Sequence, residues 1–327
     1  MPLISVDQAI SNLKKGDLVA LPTETVYGLA GTIDNESSLQ KIFSTKERPF
    51  FDPLIVHVKN LEQAQELAIW GPLSESLALN FWPGPLTLVL KKKPQVSDLI
   101  TSGGPTVGLR SPAHPIAQEV LTQLGVAFAA PSANRFGHTS PTEAQHVINE
   151  FNNLVNVVDG GSCEKGIEST VIEVDEETST ISILRPGVIS FDDLNSFLTK
   201  SSVPCKLEVK QKENAPGHLK NHYQPKIPLI LAEPEYILNE SQLSQLSKDI
   251  SKTIKVWTLD DSPVLTARKL YKELRLFSHD EQAIFLQLKK EWTTSRQWAA
   301  VIDRLRKACH FYATLCSNDN VTLKEKN

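Results

Sequence analysis

The chain has only four cysteines in 327 residues, and none falls in a C-x-x-C pair. Cys163, Cys205, Cys309 and Cys316 match no zinc pattern and are read as reduced thiols. No stretch of about 18 apolar residues occurs, so no segment is expected to cross a membrane as a helix. The first residues lack a basic start followed by an apolar run, so no signal peptide is expected and the cytoplasm is the expected compartment. Excess positive charge is missing too. A formal net charge of -4 argues against tight, non-specific RNA binding and leaves only a local basic patch open. There is no G-x-x-x-x-G-K-[ST] run, and no G-x-G-x-x-G opens a helix, so a bound nucleotide would be held by another architecture. H-E-x-x-H and D-x-D-x-D-G patterns are also missing. No metal site made by protein ligands alone is expected, and Mg²⁺ would arrive on nucleotide phosphates. The G-x-S-x-G elbow of a nucleophilic serine is absent, as are internal repeats and low-complexity tracts.

What is present reads as a packed globular protein, with 40% hydrophobic and 22% charged residues and a length that suggests two domains. Ser5-Val6-Asp7-Gln8 has the form of a capping box opening a short amphipathic helix that Gly16 closes. Helical spacing predicts further helices over 36–46, 61–70, 115–124 and 142–151, the last capped by Thr142. Strands are predicted over 17–22, 53–58, 86–90, 106–110, 126–130, 155–158, 169–174 and 180–184. This alternation predicts an α/β domain with a mixed sheet over 1–199. Residues 200–227 are polar and proline-bearing and read as a linker. Within it, Pro216-Gly217-His218-Leu219-Lys220-Asn221-His222-Tyr223-Gln224-Pro225 is rich in ring and basic side chains, as a docking segment would be. The pattern restarts over 228–327. Strands at 228–232, 253–259 and 283–288 and helices at 241–248, 262–277 and 295–312 predict a small three-layer domain.

Polar chemistry concentrates in Leu21-Pro22-Thr23-Glu24-Thr25-Val26-Tyr27-Gly28-Leu29, at a strand end, where open α/β sheets bind ligands. Lys46 and Arg48, pinned by Pro49, can face one polyanion or form a solvated cationic helix end. Ser132 and Asn134 follow the most apolar strand and can donate to substrate oxygens or close a local turn. The glycine-bearing loop from Asp159-Gly160-Gly161 to Gly166-Ile167-Glu168-Ser169-Thr170 can cradle phosphate with backbone amides. His57, Arg110 and Arg185 each sit at or just past a predicted strand end. One such cation fits a structural ion pair, whereas three at equivalent places favour a charged ligand. Together these motifs suggest a pocket for an anionic, phosphate-bearing substrate.

Taken in order, several strings resemble the threonylcarbamoyl-AMP synthase family, with its YrdC-like fold, over about residues 4–197. They are Pro22-Thr23-Glu24-Thr25-x-Tyr27-Gly28-Leu29, Lys46-x-Arg48-Pro49, Pro53-Leu54-Ile55-Val56-His57 and Trp82-Pro83-Gly84-Pro85-Leu86-Thr87. Arg110-x-Pro112-x-His114-Pro115, Pro131-Ser132-Ala133-Asn134, Ser169-Thr170-Val171 and Arg185-Pro186-Gly187 complete the set. His222-Tyr223-Gln224-Pro225 and the ending Asp303-Arg304-Leu305-Arg306-Lys307-Ala308 are similar to the long, two-domain form. The resemblance implies a YrdC-like twisted mixed sheet with helices, plus a smaller Rossmann-like three-layer α/β C-terminal domain.

The resemblance also implies a nucleotidyltransferase. L-Threonine, bicarbonate (or CO2) and ATP would give threonylcarbamoyl-AMP and pyrophosphate. The product would pass to the complex that modifies tRNA next to the anticodon. By the family's pattern Thr25, His57, Arg110, Ser169 and the main chain at Ala130 would hold threonine. Lys46, Arg48, Asp52, Thr106, Ser132, Asn134, Ser140 and Arg185 would surround ATP, with Lys46 and Arg48 offsetting charge on the phosphates. Tyr223 would close over the nucleotide as part of a lid. Asp52 stands where asparagine is usual and would need a cation beside it. The 216–221 stretch departs from the family where a methionine and an arginine are expected, and Thr294-Ser295-Arg296-Gln297 stands where a glycine-rich turn is frequent. The alternative is a YrdC-like module that binds RNA without chemistry. The acidic net charge and the retained Lys46, Arg48, Ser132 and Asn134 disfavour it. Related hydrogenase-maturation transferases carry zinc-type cysteine clusters, which this chain lacks.

Overall fold

The computed structural model of the chain describes residues 2–201, 204–210, 222–277, 281–316 and 320–326. The 216–221 part of the expected docking segment lies outside the described residues. The chain divides into two compact units: Met1–Phe136 with Ser140–His218, and Gly137–Thr139 with Leu219–Asn327.

Among the described residues the first unit carries ten strands: β1 Val19–Leu21, β2 Gly28–Thr32, β3 Ile55–His57, β4 Leu86–Lys91, β5 Thr106–Arg110, β6 Phe128–Ala129, β7 Asn156–Val157, β8 Thr170–Asp175, β9 Thr180–Arg185 and β10 Lys206–Val209. They form one mixed sheet in the order β10-β9-β8-β4-β5-β3-β6-β2-β1-β7. Strand alternation sorts side chains between its two faces. Val56, Leu86, Leu88, Leu90, Val107, Leu109, Ile172 and Val174 point into the main core. There they meet Leu39, Ile42 and Phe43 from helix Glu36–Lys46, Leu73 and Leu77 from helix Pro72–Phe81, and Leu194 and Leu198 from helix Phe191–Ser201. Their neighbours in the strands face the other way and line the groove described below.

Local signals account for several of these elements. Ser5 and Gln8 close the expected capping box on helix Val6–Lys14. Asn35 caps helix Glu36–Lys46, which ends where Glu47 takes a left-handed φ of 53°. Other expectations need correction. The 61–70 helix is only Leu61–Gln65, and a separate helix, Pro72–Phe81, starts after Gly71. The helix expected over 142–151 is Ala144–Glu150 with Glu143 at its cap position. Thr142 uses its backbone N–H to donate to His146 Nδ1 instead. The stretch read as linker from 200 begins with the end of helix Phe191–Ser201 and contains β10, which pairs in parallel with β9.

Among its described residues the second unit has five strands: β11 Leu229–Ala232, β12 Thr253–Val256, β13 Gln282–Gln287, β14 Phe311–Leu315 and β15 Val321–Glu325, in the order β12-β13-β11-β14-β15. All pair in parallel except β15, which runs antiparallel to β14. Every residue of β11 is buried, as expected of a central parallel strand covered on both faces. The long helix expected over 295–312 is shorter. It runs over Ala299–Ala308, and extended backbone at Cys309 leads into β14.

Candidate active site

The groove lies on the face of the large sheet opposite the main core. A cavity of about 320 Å³ is lined there by Phe51, Ile55, Thr87, Thr106, Gly108 and Val171, among others. A small apolar cluster of Val89, Val171 and Leu184, with Ile55 against it, floors it. His57, Arg110 and Arg185 are the last residues of β3, β5 and β9. Successive pairings make those three strands run in the same direction. The three nitrogen-bearing side chains therefore share one end of the sheet, where a polar ligand finds partners that the apolar floor does not supply.

One cluster surrounds Arg110. The guanidinium donates from Nε to Gly84 O at 3.3 Å, and its Nη2 lies 2.7 Å from Glu24 Oε1 in an ion pair that is about 95% buried on both sides. His57 is Arg110's register partner on β3 and stacks on Phe128 with ring centroids 5.6 Å apart. Burial, and then the charge of Arg110, pull the His57 pKa down to about 3, so its imidazole is neutral at physiological pH. Thr25 is fully buried in the turn between β1 and β2. Its hydroxyl shares a 2.8 Å hydrogen bond with that of Thr23, which donates to Val26 O at 2.6 Å.

A second cluster gathers the remaining cations. Lys46, at the end of its helix, is 1% exposed and donates from Nζ to the carbonyls of Ser132 and Asn134. The loop after β6 is thereby fastened to the helix end, and Phe136 N donates back to Lys46 O at 2.8 Å. Burial first, and then neighbouring Arg48, hold the Lys46 ammonium well below its ordinary pKa. Arg48 donates to Asp52 O at 3.1 Å and Pro53 O at 2.8 Å, and its Nη2 lies 2.9 Å from Asp52 Oδ2. That guanidinium is the cation that a carboxylate at position 52 calls for. Burial raises the Asp52 pKa, against the pull of Arg48, then Lys46 and Arg185, so Asp52 feels all three cations.

Arg185 grips the loop before β8. It donates to Ser169 O at 2.9 Å and to Ser169 Oγ at 3.0 Å, and Ser169 Oγ shares a 2.8 Å hydrogen bond with Thr87 Oγ1. Ser140 donates to Glu168 Oε1 at 2.6 Å. Ala130 N donates to Ile55 O at 3.1 Å, and Thr106 opens β5 at the far end of the cavity. The motif around 131–134 is knitted to the one around 22–28: Leu29 N donates to Pro131 O at 2.7 Å and Ala133 N to Tyr27 O at 2.8 Å.

Tyr223 belongs to the other unit. Its ring is 1% exposed and stacks on Tyr271 at 5.5 Å, with the Arg304 guanidinium also 5.5 Å from its centroid. Glu24, Thr87, Glu168 and Gly187 all stand inside the quoted motifs, yet nothing in those motifs names their partners. Among the described residues no group of three or more His, Cys, Asp or Glu side chains could hold a metal ion, and no helix is long and apolar enough to cross a membrane.

A family model described as telomere recombination, spanning the Sua5, YciO and YrdC proteins, matches residues 11–187. A second, described as the C-terminal domain of threonylcarbamoyl-AMP synthase, matches residues 189–309. The threonylcarbamoyl-AMP synthase of Pyrococcus abyssi is 35% identical over 90% of this chain and 91% of its own length. That of Bacillus subtilis is 33% identical over 93% and 92%. Among solved structures, P. abyssi Sua5 complexed with L-threonine superposes with a TM-score of 0.80 at 33% identity, covering 93% of each chain. On these matches, which span both units, the chain belongs to the threonylcarbamoyl-AMP synthase family of nucleotidyltransferase enzymes.

Proposed function

We propose that this protein makes threonylcarbamoyl-AMP from L-threonine, bicarbonate and ATP, with release of pyrophosphate. The observation that carries the proposal is the buried Arg48–Asp52 pair at 2.9 Å, with Lys46 and Arg185 acting on the same carboxylate, in the same unit as the Glu24–Arg110 pair and neutral His57. The first group suits a polyphosphate and the second an amino acid. L-Threonine is held by Thr25, His57, Arg110, Ser169 and the main chain at Ala130. Arg110 takes its carboxylate, for which a guanidinium fork is the matched partner. ATP, entering as its Mg²⁺ complex, is surrounded by Lys46, Arg48, Asp52, Thr106, Ser132, Asn134, Ser140 and Arg185.

The threonine amine takes up the carbon of bicarbonate with loss of water and becomes a carbamate. A carbamate oxygen then attacks the α-phosphorus in line, the bond to the bridging oxygen breaks, and pyrophosphate leaves. Such a step asks for positioning and charge neutralisation more than for a strong acid or base. Lys46 and Arg48 offset the charge that builds on the phosphates. The adenylate serves the modification of tRNA next to the anticodon, in the cytoplasm. Pyrophosphate release from ATP by the purified protein tests the reading. Release is expected to require both L-threonine and bicarbonate and to be much weaker with L-serine. Release independent of threonine would overturn the proposal.

A further inference from the structure

Glu24 is the one carboxylate of its polar turn, and it is buried, 5% exposed. A carboxylate in such a place is costly unless it is paired and hydrogen-bonded. Both of its oxygens are engaged. Oε2 accepts from Ala113 N at 3.0 Å, and Oε1 lies 2.7 Å from Arg110 Nη2. Its backbone is fixed as well: Lys165 N donates to Glu24 O at 2.8 Å, and Thr23 Oγ1 accepts from Thr25 N and Val26 N at 3.2 Å. Ala113 N therefore holds the carboxylate against the guanidinium, while Lys165 N and the Thr23 hydroxyl fix the main chain around it. Arg110 is gripped on that side by Gly84 O and Glu24, while no described protein group takes its Nη1. The close approach of Oε1 and Nη2 is not an aligned hydrogen bond, so what joins them is chiefly charge.

We infer that Glu24 is the positioning residue for substrate recognition. It fixes Arg110 and balances its charge, so that the free end of the guanidinium is presented to the α-carboxylate of the amino acid. This rests on the assignment of Arg110 to that carboxylate. Charge balance has a second consequence. Arg110 with an ionised Glu24 carries little net charge and is a poor site for small inorganic anions. Arg110 beside a neutral side chain is a buried cation that attracts them. Glu24 thus favours the carboxylate of a zwitterion over phosphate or pyrophosphate, which the reaction mixture also contains.

The test uses the full chain with Glu24→Gln, which removes the charge and keeps the shape, and Glu24→Asp, which keeps the charge one methylene short. L-Threonine binding is followed by calorimetry, and steady-state kinetics are read with and without added inorganic phosphate. Glu24→Gln is expected to weaken L-threonine binding and raise its KM by about tenfold or more, with kcat and the KM for ATP within about threefold. Inorganic phosphate is expected to become a competitor of threonine in Glu24→Gln and not in the wild type. Glu24→Asp is expected to fall between the two, and it decides the question if Glu24→Gln does not fold. Wild-type protein that fails to bind L-threonine would overturn the functional reading itself. Wild-type binding matched by Glu24→Gln, or by Glu24→Asp where that variant decides, would overturn the role of Glu24 alone. Equal losses in kcat and in both KM values would do the same.

Discussion

Burial decides what the individual side chains of the site are able to do. His57 is the clearest case: an imidazole at a strand end invites a reading as a proton carrier, yet a pKa near 3 leaves it neutral where the enzyme works. The same shift has a consequence for stability. In the unfolded chain a histidine takes a proton near pH 6.5, whereas native His57 does so only near pH 3. Between those values the unfolded state binds more protons, so acidification through this window removes stability and raising the pH restores it. Urea denaturation at pH 7.5, 6 and 5 is expected to show stability falling with pH in the wild type. The fall should be shallower in His57→Gln, and an equally steep fall in the variant would exclude His57 as a source. Identical side chains at other strand ends cannot be told apart from sequence in this respect, because the burial comes from Phe128 and Arg110 on other strands.

Elements explain how distant motifs meet. The large sheet places Ser169 just before β8 and Arg185 at the end of β9, and Gly187 packs directly on that junction. A Cβ at Gly187 would stand 2.4 Å from Thr170 N and 2.5 Å from Ser169 C, both backbone atoms that have no room to yield. Gly187→Ala is therefore expected to displace Ser169 and with it the Arg185 and Thr87 contacts. A loss of about 1–3 kcal/mol in stability and of tenfold or more in kcat/KM follows, since misplacement by an ångström can cost about a hundredfold. Denaturant melts and steady-state kinetics check it, and wild-type values in both would contradict it.

Elements with local signals were legible: the Ser5 capping box, the helix over 36–46 with its apolar spacing, and β5 with its terminal arginine. β2 was not. Gly28-Leu29-Ala30-Gly31-Thr32 has two glycines and little intrinsic strand preference, and it becomes a strand because β1 and β6 flank it. β10 hid in a polar stretch, as edge strands often do, and the first two residues of β14, Phe311 and Tyr312, read as the end of the preceding helix because aromatic residues fit either period. The site shows the same division. Residue types and strand ends pointed to Lys46, Arg48, His57, Arg110 and Arg185. The pairing of Glu24 with Arg110 and of Ser140 with Glu168 depends on sheet order, which no single segment encodes.

In the large sheet one face carries the main helix-packed core, and the other is covered by helices Val6–Lys14 and Pro115–Leu124 at β6, β2 and β1 and lines the cavity at β3, β5, β4 and β8. His57, Arg110 and Arg185 are collected at one end of the strands, and the chain as a whole stays mildly acidic at -4. Such a distribution suits small anionic substrates more than a nucleic-acid backbone. The second unit carries its own five-stranded sheet and its own buried core around Ile230, Phe285 and Ala313.

The proposed reaction joins threonine, bicarbonate carbon and AMP on this protein. Mass spectrometry of the product formed from ATP, L-threonine and ¹³C-labelled bicarbonate reads that union in one experiment. An adenylate that contains threonine and carries one ¹³C atom is expected, formed by the wild type and severely reduced in Lys46→Ala. An adenylate without the label, or AMP formed with no threonine attached, would contradict it.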